Sequence, residues 1–148
     1  MRSLRSPFLM KLILANLAIV VLAGCGGPNL PKVKGNITVD GTPANGAILL
    51  FHPVEGKEMK LATGVADSDG TYSLVADMKE GIQPGKYAVT LTWPDPAFKP
   101  NEASKMRGDA EAGPDLLKGR YVMKEKSGLT AEITSTTSEL PPFQLKTK

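Results

Sequence analysis

The sequence predicts an all-β domain, a seven-stranded antiparallel sandwich with one long loop over residues 94–126. Three observations point there. Short stretches alternate apolar and polar side chains, turns rich in Gly and Pro separate them, and no segment of useful length carries a helical period.

Val33, Ile37 and Val39 share one face of the first predicted strand, and Asp40-Gly41 follows as a tight-turn signal. The apolar run Ala47-Ile48-Leu49-Leu50-Phe51-His52 suits a strand covered on much of both faces. Leu61, Thr63 and Val65 mark a third strand, and Asp69-Gly70 the next turn. Thr71-Tyr72-Ser73-Leu74-Val75 alternates, with Tyr72 and Leu74 inward. Pro84-Gly85 opens the clearest strand, in which Tyr87, Val89, Leu91 and Trp93 alternate with Ala88, Thr90 and Thr92. Leu129, Ala131 and Ile133 give a sixth strand; Phe143 and Leu145 give a seventh. Between residues 94 and 126 the pattern stops. Pro94, Pro96 and Pro100 open this stretch, which reads as a mobile insertion. Within it, residues 115–121 suit a turn of helix that packs Leu116, Leu117 and Tyr121 back on the sandwich.

The start of the chain has a different character. Arg2, Arg5 and Lys11 precede residues 12–23, which are apolar except for Asn16. About 12 helical residues span roughly 18 Å, short of a ~30 Å hydrocarbon core, so a cleaved export signal fits better than a membrane span. The run ends in Leu22-Ala23-Gly24-Cys25, followed by Gly26-Gly27-Pro28. This resembles the lipobox of bacterial lipoproteins. The resemblance implies cleavage between Gly24 and Cys25, diacylglycerol on the Cys25 thiol, and acylation of the new amine. An ordinary secretory signal with an incidental cysteine is the alternative. It leaves unexplained why the only cysteine sits where the box requires it. Residues 1–24 are thus read as signal peptide, 25–32 as lipidated cysteine and tether, and 33–148 as the domain. Two or more acyl chains give stable anchoring where one gives marginal binding. Gly26, in place of the Asp that retains enteric lipoproteins at the inner membrane, favours the outer membrane.

The chain has 148 residues, a formal charge of +3 and a pI near 9.0. The excess charge is local. Without residues 1–24 the domain keeps 15 basic side chains against 15 acidic ones, so electrostatic binding to nucleic acid is not expected. One cysteine allows neither an internal disulfide nor a cysteine-based zinc cluster.

Three motifs occur in order: Gly35-x-Ile37-Thr38-x-Asp40-Gly41-x-Pro43-x-x-Gly46-Ala47 followed by Phe51-x-Pro53; Asp67-x-Asp69-Gly70-x-Tyr72-x-Leu74; and Pro84-Gly85-x-Tyr87-x-Val89. Together they resemble the carboxypeptidase regulatory-like domains, which are transthyretin-like (prealbumin-like) seven-stranded sandwiches. Lipoproteins with a single such domain are similar to this chain over residues 33–145, including the long loop and the segment from Tyr121 to Ser127-Gly128-Leu129-Thr130. The resemblance implies a fold more than a task, since this fold serves many roles.

Catalytic signals are sparse. His52 is the only histidine, and no G-x-S-x-G motif accompanies it, so it reads as a strand-end, hydrogen-bonded residue. The hydrolase of purine catabolism on a related fold uses several histidines and a C-terminal Tyr-Arg-Gly-Ser; here the last residues are Gln144-Leu145-Lys146-Thr147-Lys148. Asp67-Ser68-Asp69-Gly70 superficially matches the start of a calcium loop. Thr71 and Met78 then occupy positions five and twelve, so a turn is expected, with weak calcium binding by Asp67, Asp69 and Asp77 as the alternative. No metal site and no cofactor are expected. Trp93 reads as closing the end of the sandwich. Exposed together with Phe98, it would instead offer a platform to a sugar or a partner.

The expectation for function is a lipid-anchored cell-envelope protein, a non-catalytic structural or protein-interaction module, its domain in the periplasm or at the surface. Its partners would be the membrane, through Cys25, and envelope proteins or polysaccharide. The alternative is a small-ligand or carbohydrate-binding module that uses Trp93, Phe98 and the 94–126 loop.

Overall fold

The computed structural model describes residues 30–56, 58–108 and 111–147. Among them ten strands form: β1 (Lys34–Val39), β2 (Thr42–Pro43), β3 (Ile48–Pro53), β4 (Ala62–Val65), β5 (Thr71–Ser73), β6 (Val75–Ala76), β7 (Lys79–Glu80), β8 (Gly85–Thr92), β9 (Leu129–Ile133) and β10 (Phe143–Leu145). The described residues are all-β in class, with two sheets and one short helix. Six of the segments read as strands each appear as one strand. The remaining one, residues 71–75, is broken at Leu74: Thr71–Ser73 is β5, in the first sheet, and Val75–Ala76 is β6, in the second. The two-residue strands β2 and β7 bring the count to ten.

β1 is the middle of the first sheet. Its alternation sends Gly35, Ile37 and Val39 inward and leaves Lys34, Asn36 and Thr38 outside or half-buried. Asp40 (φ 50°) and Gly41 (φ 80°) adopt the left-handed conformation of a tight hairpin turn, and the chain returns as β2 with Thr42 opposite Val39. β5 runs antiparallel beside the first half of β1, with Tyr72 opposite Gly35. β10 covers the other edge and is parallel to β1, with Phe143 opposite Ile37. This parallel pair departs from the wholly antiparallel arrangement expected. The last strand reaches β1 from a distant part of the chain, so no hairpin imposes its direction.

The second sheet has the order β7-β6-β4-β3-β8-β9, and each neighbour is antiparallel. Both sheets contribute to one apolar core. Ile37, Val39, Tyr72 and Leu74 come from one side, and Leu49, Phe51, Val89 and Leu91 from the other. Phe51 lies between two tyrosines, its ring centroid 6.3 Å from Tyr72 at 45° and 6.3 Å from Tyr87 at 65°. Such tilted and edge-on pairs suit the ring quadrupoles.

β4 faces the opposite way from its hydrophobic pattern. Leu61 and Val65 are 46% and 56% exposed, while Ala62, Gly64 and Ala66 are buried. The cause is space. A Cβ on Gly64 would lie 2.8 Å from Tyr72 Cδ2 and 3.3 Å from Leu74 Cδ2. Only small side chains fit beneath Tyr72, and leucine or valine there would overpack the core.

The 94–126 stretch, expected as a mobile insertion, carries hydrogen bonds of its own. Pro94 pairs with Asp115 across its neck, and Asp95 N donates to Pro114 O at 3.0 Å. The short helix α1 (Glu102–Arg107) starts at Asn101, whose side chain accepts from Ser104 N at 2.7 Å, and stops at left-handed Gly108. Residues 115–121 form successive four-residue β-turns instead of a helical turn, with Lys118 N donating to Asp115 O and Arg120 N to Leu117 O. Left-handed Lys118 (φ 52°) and Gly119 (φ 73°) break any helix there. Leu117 is buried and Tyr121 packs on the core.

Candidate functional site

Gly24 and Cys25 lie outside the described residues, as does all of the segment before them. The structure shows where the chain arrives. Residues 30–32, read as the end of a tether, lie against the domain. Ile82 N donates to Pro31 O at 3.1 Å and Leu74 N to Val33 O at 2.9 Å. Gly81 backs onto Leu30 so closely that a Cβ there would lie 2.9 Å from the Leu30 Cβ. Lys32 Nζ is 2.6 Å from Glu80 Oε2. That hydrogen bond raises the lysine pKa and lowers that of the glutamate. Both groups are solvated, so the pair adds little to stability. Beside it, the β6–β7 hairpin turns through Asp77 (φ 53°) and Met78 (φ 60°). Met78 is 99% exposed.

The opposite end is organised by a carboxylate. Asp115 Oδ1 accepts from Trp93 N at 2.9 Å and from Leu117 N at 3.1 Å, and Oδ2 accepts from Gly119 N at 2.7 Å. Left-handed Lys118 and Gly119 curl the backbone around it, a concave arrangement of N–H groups suited to an anion. Leu116 N donates to Trp93 O and Leu91 N to Tyr121 O, so this segment prolongs the pairing of β8 beyond β9. The single tryptophan is locked here. Trp93 Nε1 donates to Asn45 O at 3.0 Å, and the half-buried ring packs on the core. Phe98 is 41% exposed. With Pro100, Asn101, Ser104, Arg107 and Glu111 it lines an open cavity of about 230 Å³ whose walls do not include Trp93. That volume is below the roughly 300–1,000 Å³ of small-molecule sites.

His52 Nε2 is 2.9 Å from Thr90 Oγ1. It lines a second cavity of about 230 Å³ with Pro53, Val54, Ala88, Lys124 and Glu125, a wall without a serine or cysteine nucleophile. Asp67-Ser68-Asp69-Gly70 is a turn clasped to β1. Asp69 Oδ1 accepts from Thr71 N at 2.9 Å, which lowers the pKa of the carboxyl, and Ile37 N donates to Gly70 O at 2.9 Å. Asp77 belongs to the separate β6–β7 turn. Among the described residues no group of three or more His, Cys, Asp or Glu could hold a metal ion.

Asp115 was not singled out in the sequence. Its signal is an aspartate opening Asp-Leu-Leu-Lys-Gly, an acceptor followed by a turn that ends in glycine. Met78 is likewise visible only once its side chain is seen to have no neighbours to pack on. Compared with known proteins, the chain matches no family model, and no curated protein is similar to it above chance.

Proposed function

We propose that this chain is a lipid-anchored cell-envelope protein whose domain is a non-catalytic structural or protein-interaction module, carboxypeptidase regulatory-like and transthyretin-like in topology. One observation carries the reading: the only cysteine directly follows Leu22-Ala23-Gly24, after a basic start and an apolar run too short to span a bilayer. Gly26 favours the outer membrane.

The test is Cys25→Ala in cells fed labelled palmitate. The native chain should take up label and fractionate with membranes, and the variant should lose both properties. Unlabelled native protein, or a variant that still fractionates with membranes at precursor size, would make the apolar segment itself the anchor.

A second reading, a small-ligand or carbohydrate-binding module, rests on the exposed Phe98 at a cavity with polar walls. Trp93 is a unique fluorophore at the same end of the molecule. Titration with envelope polysaccharides should quench it under this reading, and an unchanged spectrum with all of them would remove it.

A further inference from the structure

The point where the chain arrives restricts how a lipidated domain can sit. Residue 30 already lies on the domain, against Gly81. Five residue steps separate it from Cys25, and a fully extended chain covers at most about 18 Å in that distance. β8 starts beside this end, since Ile82 bonds to Pro31, and runs eight residues before delivering Trp93 to the other. Eight strand residues cover roughly 26 Å. An anchor at Cys25 therefore draws the Leu30 end to the bilayer and leaves the Trp93 end far from it when the strands stand upright.

The Leu30 end carries a feature that neither folding nor turn chemistry accounts for. Two-residue hairpin turns with positive φ favour Asn-Gly or Asp-Gly. Here the second position is methionine, held left-handed and 99% exposed, with Val75 of the same hairpin 39% exposed. Around it Lys32, Lys34 and Lys79 stand with Asp77 and Glu80, so the local excess is a single positive charge. Such a tip has little to offer an anionic surface by charge, and an unbranched apolar side chain to offer the headgroup–acyl boundary.

We infer that the lipidated protein stands on the bilayer through its Leu30 end, with Met78 of the β6–β7 hairpin inserted beside the lipid anchor. The α1 loop and Phe98 then face away from the membrane, towards partners. This rests on the lipoprotein reading and adds an orientation to it.

The anchored form provides its own probe chemistry, because a lipidated Cys25 has no free thiol. Met78→Cys, Thr42→Cys and Val65→Cys, each in the full lipidated chain, place one environment-sensitive nitrobenzoxadiazole label at the hairpin tip, at the far end of β1, or on the outer face of β4. The proteins are reconstituted in phosphatidylethanolamine–phosphatidylglycerol vesicles containing nitroxide-labelled lipid. The label at 78 should be quenched at least threefold more than those at 42 and 65, should emit at shorter wavelength, and should change little between low and high salt. Equal quenching at 78 and 42, or the strongest quenching at 65, overturns the orientation. Protein that fails to float with the vesicles overturns the lipoprotein reading, and the orientation with it.

Discussion

At the end where the chain arrives, residues 30–33 are held by backbone bonds to Ile82 and Leu74, with an exposed Lys32–Glu80 pair outside. At the opposite end, one carboxylate, Asp115, gathers the N–H groups of Trp93, Leu117 and Gly119. The first arrangement is distributed along the backbone, so truncating a surface side chain there removes little. The second depends on a single side chain. The arrival end has a different weakness, in its interior: Gly35 and Gly64 leave just enough room for Tyr72. Tolerance to substitution should therefore differ by end and by depth.

The largest expected effect is Gly35→Ala, whose methyl would meet the Tyr72 ring. Overpacking should cost about 3 kcal/mol or more in chemical denaturation; a cost below about 1 kcal/mol would show that Tyr72 can move aside. Next is Asp115→Ala. Losing three charge-assisted acceptances should cost about 2–3 kcal/mol and speed hydrogen exchange at Trp93, Leu117 and Gly119 while leaving β1 protected. Loss of protection throughout the chain would contradict the local role of this carboxylate.

A smaller contrast separates two buried tyrosines. The Tyr72 hydroxyl is buried without a hydrogen-bond partner among the described residues, whereas Tyr87 Oη donates to Gln83 O at 2.7 Å. Tyr72→Phe should stabilise by about 1 kcal/mol and Tyr87→Phe destabilise by about as much. The same burial sets the alkaline limit. It pushes the Tyr87 pKa up to about 12 and that of Tyr72 higher still, from an ordinary value near 10. Unfolded tyrosines therefore release protons before folded ones do. Stability should hold below pH ~10 and fall as pH rises through about 12, less steeply in Tyr72→Phe. The smallest effect is Lys32→Ala, expected within about 0.5 kcal/mol because its ion pair is solvated.

Strand positions were legible because period-2 alternation reports which residues can share a face. Tyr87, Val89 and Leu91 of β8 are all buried, as that pattern requires. What alternation does not carry is size. Leu61 and Val65 are the large apolar side chains that mark β4, yet they face outward, because Tyr72, on another strand, leaves room for no side chain at Gly64 on the inner face. Pairing across the chain was equally hidden, since nothing local to Phe143–Leu145 says that it will lie parallel to β1. Within the loop, Leu117 and Tyr121 pack on the core as their apolar character suggests. The role of Asp115 arises only when residues far apart in sequence meet. Of the site residues, Trp93 sits at the strand end as read, and Phe98 lines a cavity that Trp93 does not share.

The lipid anchor is tested most directly by the mass of the mature N-terminus. Protein extracted from native membranes should yield a first peptide that begins at Cys25 and carries diacylglycerol in thioether linkage and an acyl chain on its amine. A chain that retains residues 1–24, or one that carries Cys25 as a free thiol, would contradict the account.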